Sequence, residues 1–125
     1  MSWFLDDEMD TRAVVAQSRL TEDRALVPQL WHLEVRNCLI VAERRGHISA
    51  EGVTECLEAL KWLPIETDTE INLAAAFSLA QTHSLSFYDA VYLELAKRQE
   101  AALASLDTAL VHAAAAEGIP PVKAV

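Results

Sequence analysis

The sequence predicts an α/β fold in which a short parallel sheet is flanked by helices. Short apolar runs alternate along the chain with longer segments whose apolar residues recur at helical spacing. Because strands that alternate with helices usually build parallel sheets, this order favours a sheet covered on both faces. At 125 residues the chain has the length of one ordinary domain, so residues 1–125 are expected to fold around a single core.

Four short apolar runs have the length and composition of strands. They are residues 26–28, 64–66, 102–106 and 121–125. The first run ends at Pro28, and the last lies at the end of the sequence.

Helical periodicity predicts six amphipathic helices between and beside these strands. They are residues 11–20, 30–45, 49–60, 69–83, 86–98 and 107–116. Ser49, Ser86 and Asp107 stand where N-cap residues are expected, because their side chains can accept a hydrogen bond from the first turn. Gly46 and Gly118 follow helices and can adopt the left-handed conformation that ends them.

Composition and charge restrict the function classes. The formal net charge of −9 argues against broad, non-specific binding to polyanions, since phosphate affinity normally depends on Lys and Arg. The negative net charge is still compatible with a site where carboxylates hold a divalent cation, because the cation then contacts the phosphate in place of a positive side chain. Cys38 and Cys56 have no metal-ligand spacing and are interpreted as reduced, buried apolar residues. The sequence has no apolar run long enough to span a membrane and no secretory signal pattern, so we expect a cytoplasmic protein.

Two aspartates stand at positions where α/β proteins build sites. Asp107 follows an apolar run that reads as a buried strand, and Asp89 lies inside the amphipathic helix that precedes that run. The carboxyl ends of parallel strands are the usual place for ligands. Structural roles are also open: Asp107 can be an N-cap, and Asp89 can complete a capping box with Ser86. Glu34, early in its helix, can simply complement the helix dipole.

The order and spacing of several segments resemble the PIN-domain family, in particular the small toxin ribonucleases of bacterial toxin–antitoxin pairs. The matching segments are LVPQLWHLEVRNCL, GHISAEGVTECLEAL, LPIETD, SFYDAVYLELA and LASLDTAL. They are distributed along the chain from residue 26 to residue 110. No one segment is diagnostic by itself.

The resemblance implies an α/β/α sandwich with an acidic cleft that hydrolyses RNA phosphodiesters. Glu34, Asp89 and Asp107 fall on three family acids, which implies catalytic and metal-binding roles with Mg²⁺ or Mn²⁺. Ser105 falls where relatives often carry Ser or Thr, which implies a supporting hydrogen-bond donor. The implied partners are an RNA substrate, a cognate antitoxin protein and a second copy of the chain in a homodimer, with no membrane.

The N-terminus departs from the family pattern. Family members begin with a short apolar strand that ends in an Asp, and this sequence begins at MSWFLDDE, just downstream of that position. We therefore expect an N-terminally truncated PIN-like domain without the central first strand, and a sheet core that is rearranged or completed by a partner. Weak or absent cleavage is expected. The alternative is a non-catalytic, degenerate PIN module that binds an antitoxin or dimerises.

Overall fold

A four-stranded mixed sheet and five helices make up the described part of the protein. The structure is a computed structural model that describes residues 14–18, 25–105 and 107–119. The strands are β1 Val14–Ser18, β2 Ala25–Pro28, β3 Ile65–Asp68 and β4 Ala101–Ala104. The helices are α1 Gln29–Arg44, α2 Ala50–Leu60, α3 Leu73–His83, α4 Phe87–Arg98 and α5 Thr108–Ala116. The mixed α/β fold predicted from the sequence is confirmed.

The sheet has the strand order β3-β2-β1-β4, and its directions differ in part from the expected parallel arrangement. Strands β2 and β3 are parallel and pair without interruption from Ala25 opposite Ile65 to Pro28 opposite Asp68. Strand β1 lies antiparallel to both β2 and β4. Its register against β4 shifts between Val15 and Ser18. Strand β1 thus occupies an interior position of the described sheet and runs opposite to both of its neighbours.

The helix predicted over residues 11–20 is wrong, since Val14–Ser18 forms strand β1. The neighbouring β-branched residues Val14 and Val15 favour extended backbone over helix. Pairing on both sides with β2 and β4 then satisfies the backbone in a way that an isolated helical turn could not. The strand predicted over residues 121–125 lies outside the described residues.

Local signals placed the remaining helices well. Side-chain oxygens of Ser49, Asn72, Ser86 and Asp107 each accept a backbone hydrogen bond at the start of a helix. The helix predicted to start at residue 69 therefore begins later, after the Asn72 cap. Gly46 and Gly118 have φ of 76° and 78°, the left-handed geometry that the sequence predicted.

Helix α4 is the central element of the core. Its residues from Ala90 to Ala96 are all buried, and it packs against α3, α5 and strands β1, β2 and β4. A helix that is buried on every side normally carries only apolar residues in that stretch. Glu94, 4 % exposed, is the exception, and it is the only buried charged residue in the described part of the chain.

One arginine pairs with this buried carboxylate and with the end of β3. Arg98 donates from Nε to Glu94 Oε2 at 2.7 Å, and its Nη1 and Nη2 reach both oxygens of Asp68 at 2.9 and 2.7 Å. The Asp68 side chain is only 9 % exposed. These hydrogen bonds lower the pKa of Asp68 against the opposing effect of its burial. The Asp68–Arg98–Glu94 cluster thus ties the C-terminal turn of α4 to the carboxyl end of β3.

A second ionic cluster holds the C-terminal end of α5. Glu117 binds His83 Nε2 at 2.7 Å and Lys97 Nζ at 2.5 Å, which links α5 to the last turns of α3 and α4. The Lys97 hydrogen bond, followed by that of His83, lowers the pKa of Glu117. The helices around α4 are therefore fixed at their C-terminal ends by charge as well as by packing.

Replacing Arg98 with Met is expected to lower the free energy of unfolding by about 3 kcal/mol, because two shielded carboxylates lose their partner. Urea denaturation followed by circular dichroism measures the loss. Lys61→Met is the matched control, since Lys61 and its partner Glu58 are both well exposed and such pairs contribute about 0–1 kcal/mol. Equal losses in the two variants would contradict the role of the cluster.

The Asp68 pair also gives stability a defined pH dependence. Because the folded-state pKa of Asp68 lies below its usual value of 3.8, its contribution is present above that pH and is lost as the pH falls further. Asp68→Asn should be less stable than the unmodified chain at pH 7, and the difference should shrink below about pH 4. Chemical denaturation at a series of pH values tests this, and a difference that is constant down to pH 2.5 would refute it.

Candidate active site

The carboxyl ends of three strands lie at one edge of the sheet. Strands β2 and β3 are parallel, and β4 has the same direction because β1 is antiparallel to both β2 and β4. At this edge β2 leads directly into α1, β3 ends at Asp68, and β4 leads through Ser105 to Asp107. This is the edge at which α/β proteins place their sites.

Glu34 lies in the second turn of α1 and is half-buried. Its Oε1 accepts a short hydrogen bond from the phenolic hydroxyl of Tyr92, which is 1 % exposed in the middle of α4. Neutral donors to a carboxylate form strong, orienting hydrogen bonds. The contact therefore fixes the Glu34 side chain against α4, whereas the sequence left open a role in the helix dipole alone.

Asp89 lies in the first turn of α4 and is half-buried. Its backbone N–H donates to Ser86 Oγ at 3.1 Å, which is the predicted N-cap contact. Residues three apart on a helix share a face, so Asp89 and Tyr92 lie on the same flank of α4. Because Tyr92 holds Glu34, the structure places Glu34 and Asp89 on the same flank of this helix.

Asp107 follows β4 and caps α5. Its Oδ1 accepts from the backbone N–H of Leu110 at 2.9 Å, and its own N–H donates to Ser105 Oγ at 3.0 Å. The N-cap interpretation of Asp107 is therefore confirmed, and one of its two carboxylate oxygens is used in that role. Ser105 supports the backbone at Asp107 as a hydrogen-bond acceptor, whereas the sequence suggested a donor.

The three acids supply the oxygen ligands that Mg²⁺ and Mn²⁺ prefer. Within residues 14–18, 25–105 and 107–119, no three His, Cys, Asp or Glu side chains are grouped closely enough to hold a metal ion together. Magnesium usually takes one or two protein carboxylates and completes its shell with water and phosphate. The donor chemistry fits such an ion, and the shared use of Glu34, Asp89 and Asp107 stays a prediction.

The sequence did not indicate the contacts of some polar residues near this edge of the sheet. The Glu94 and Arg98 spacing of four residues is a known helix pairing, but nothing in the sequence indicated that Asp68 would complete it. His32 is half-buried, and its Nε2 lies 2.7 Å from Thr67 Oγ1 on β3. Burial, followed by the charge of Arg36, lowers the pKa of His32.

Removing the hydroxyl that holds Glu34 is expected to weaken the contact between α1 and α4. Tyr92→Phe should lower the free energy of unfolding by about 1.5–3 kcal/mol, the range for a hydrogen bond to a charged group. Tyr88→Phe is the matched control, because Tyr88 is exposed on the same helix and should change stability by less than about 0.5 kcal/mol. Urea denaturation of both variants gives the comparison, and equal stabilities would show that the contact contributes nothing.

Comparison with known proteins completes the description of the site. None of the described helices is long and apolar enough to cross a membrane. A search of curated proteins found no match. The sequence profile of the PIN domain matches residues 1–116, and this range includes Glu34, Asp89, Ser105 and Asp107. PIN domains are in general nucleases that use divalent metal ions. With the matched range covering nearly the whole chain, this protein belongs to the PIN domain family.

Proposed function

We propose that this protein is a metal-dependent endoribonuclease of the toxin–antitoxin type, with Glu34, Asp89 and Asp107 as its catalytic and metal-binding acids. The observation that carries the proposal is the Tyr92 hydrogen bond, which holds the acid of α1 on the flank of α4 where Asp89 lies. The match to the PIN domain over residues 1–116 supports a nuclease.

The proposed chemistry uses Mg²⁺ or Mn²⁺ bound by carboxylate oxygens. When bound, such an ion would activate a water molecule and neutralise the charge that develops on the phosphate. In this arrangement Tyr92 orients Glu34, and the turn between Ser105 and Leu110 orients Asp107. Asp89 stands at the positive end of α4, where a carboxylate is stabilised by the helix dipole.

The charge of the chain fits a site that meets phosphate through a cation. With a net charge of −9, general attraction to an RNA backbone is weak. Lys97 and Arg98, the cations at the end of α4, are already paired with Glu117, Asp68 and Glu94. Substrate binding is therefore expected to depend on the metal ion and on contacts to bases more than on paired positive side chains.

The proposal extends to the setting of the enzyme. We propose that it acts in the cytoplasm on RNA, is held inactive by a cognate antitoxin protein, and forms a homodimer. We also propose that its activity in this form is weak or absent.

Asp89→Asn and Asp107→Asn separate catalysis from helix capping. Asn is as good an N-cap as Asp, so Asp107→Asn should keep the free energy of unfolding within about 0.5 kcal/mol. Asp89→Asn removes a charge near the positive end of α4 and should lower it by no more than about 1 kcal/mol. Cleavage of a fluorogenic single-stranded RNA in Mn²⁺ should fall on the order of 100-fold, because each variant loses a charged oxygen ligand. Glu55→Gln is the control. Glu55 is an exposed acid on α2 and is not one of the three proposed catalytic acids, so this variant should keep the full rate.

An N-terminal extension tests the expectation of weak activity. Adding an apolar strand that ends in Asp ahead of Met1, as the family pattern predicts, should raise the rate of RNA cleavage in Mn²⁺ by at least about tenfold. The same extension with Asn in place of that Asp is the matched control, and it should not raise the rate of cleavage. The absence of cleavage in the extended chain, even in Mn²⁺, would overturn the assignment as a ribonuclease.

A non-catalytic interaction module is the second candidate, and one observation favours it. Leu73 and Phe77 lie one turn apart on α3 and are both largely exposed, so they form an apolar surface. Exposed apolar patches often mark partner contacts. If the unmodified chain cleaves RNA and the Asp89→Asn and Asp107→Asn variants do not, the protein is an enzyme and the interaction module is rejected.

A further inference from the structure

A cleft lies at the carboxyl ends of β2 and β3. Its volume is about 200 Å³, and it lies between the junction of β2 with α1, the segment that follows β3, and the N-terminal half of α4. Most of its wall is apolar. The apolar residues that line it are Pro28, Leu30, Ile71, Phe87, Val91 and Leu95.

Tyr88 is the aromatic residue of the cleft that follows Phe87 and directly precedes Asp89 on α4. The cleft lies along the face of α4 that carries Tyr88, Val91 and Leu95, which are spaced by three and four residues. Asp89 and Tyr92 occupy the neighbouring flank, where Tyr92 holds Glu34. Tyr88 therefore lies on the face of α4 next to the flank that carries Asp89, and 62 % of the residue is exposed.

The polar rim offers groups that can recognise the edge of a flat ligand. Gln29 and Thr69 line the cleft and are exposed. A Gln amide presents a donor and an acceptor side by side, which is the pattern that reads the edge of a nucleobase. The two carboxylates in the wall, Asp68 and Glu94, are both hydrogen-bonded to Arg98, so their charge is offset where the ligand would sit.

We infer that this cleft binds one unpaired nucleobase of the RNA substrate, stacked on Tyr88 with its edge toward Gln29 and Thr69. The inference rests on the proposed function, because it assumes that the nucleic acid bound at Glu34 and Asp89 is single-stranded RNA. Proteins recognise single-stranded RNA mainly by stacking bases on aromatic side chains. A chain of net charge −9 has few cations for the phosphates, so base contacts must supply much of the affinity.

Binding of an uncleavable RNA tests the cleft without requiring catalysis. A short, fluorescently labelled, fully 2′-O-methylated single strand is titrated with the unmodified chain in Mg²⁺, gel electrophoresis checks that the strand stays intact, and anisotropy gives the Kd. Tyr88→Ala should weaken binding roughly 5- to 140-fold, the range that the loss of one stacked base produces. Tyr88→Phe should retain most of the affinity, because the ring face is kept.

Phe77→Ala is the matched control. Phe77 is 57 % exposed on α3 and is not among the residues that line the cleft, so its loss removes a similar exposed ring elsewhere. An RNA with abasic nucleotides should bind the unmodified chain about as weakly as intact RNA binds Tyr88→Ala. This second comparison needs no variant protein and is independent of any folding defect.

Several results would overturn the inference. They are equal Kd values for Tyr88→Ala and Phe77→Ala, equal binding of abasic and intact RNA, no binding of any single strand, or occupation of the cleft by an apolar peptide that RNA does not displace. The outcome is separable from that of the proposed function. If Asp89→Asn and Asp107→Asn leave cleavage unchanged while Tyr88→Ala weakens binding, the acidic site is wrong and the base cleft stands. The reverse pattern rejects only the cleft.

Discussion

The burial of α4 is the constraint on which the rest of the structure depends. Seven consecutive residues from Ala90 to Ala96 are inaccessible, and one of them, Glu94, is an acid. A buried carboxylate is tolerated only when it is paired and hydrogen-bonded. Arg98, one turn further along the same helix, meets this need and binds Asp68 at the end of β3 with its remaining donors. The same interaction that makes burial of the helix possible therefore fixes its position against the sheet.

Two faces of α4 then contribute different groups at the edge of the sheet where the candidate site lies. One flank carries Asp89 and Tyr92, and through Tyr92 it positions Glu34 of α1. The adjacent face carries Tyr88 and Val91 and forms a wall of the cleft. Because a helix is rigid, these groups keep a fixed separation from one another, and the Asp68–Arg98–Glu94 cluster keeps them fixed relative to the strand ends. A proposed site composed of acids from distant segments depends on this kind of rigid support.

The sheet shows how tertiary context changed a local preference. Residues 14–18 lie between β2 and β4 and are antiparallel to both of them. Without a strand there, the inner edges of β2 and β4 would each present unpaired backbone groups beside a buried helix, at considerable free-energy cost. Apolar residues spaced as in a short helix therefore adopt extended backbone. The carboxyl ends of β2, β3 and β4 still meet at one edge, so the positions that follow them remain close to the candidate site.

The sequence alone determined the helices, because their signals are local. Ser49, Ser86 and Asp107 each cap the first turn that follows them, and Gly46 and Gly118 each end the preceding helix. The sequence also indicated the three acids, through a resemblance whose family the PIN domain match confirms. Only the tertiary structure decided the direction of β1, the pairing of Asp68 with Arg98 and the contact between Tyr92 and Glu34. Capping depends on residues three positions apart, whereas these contacts join residues 30 and 58 positions apart and arise only when the whole core has packed.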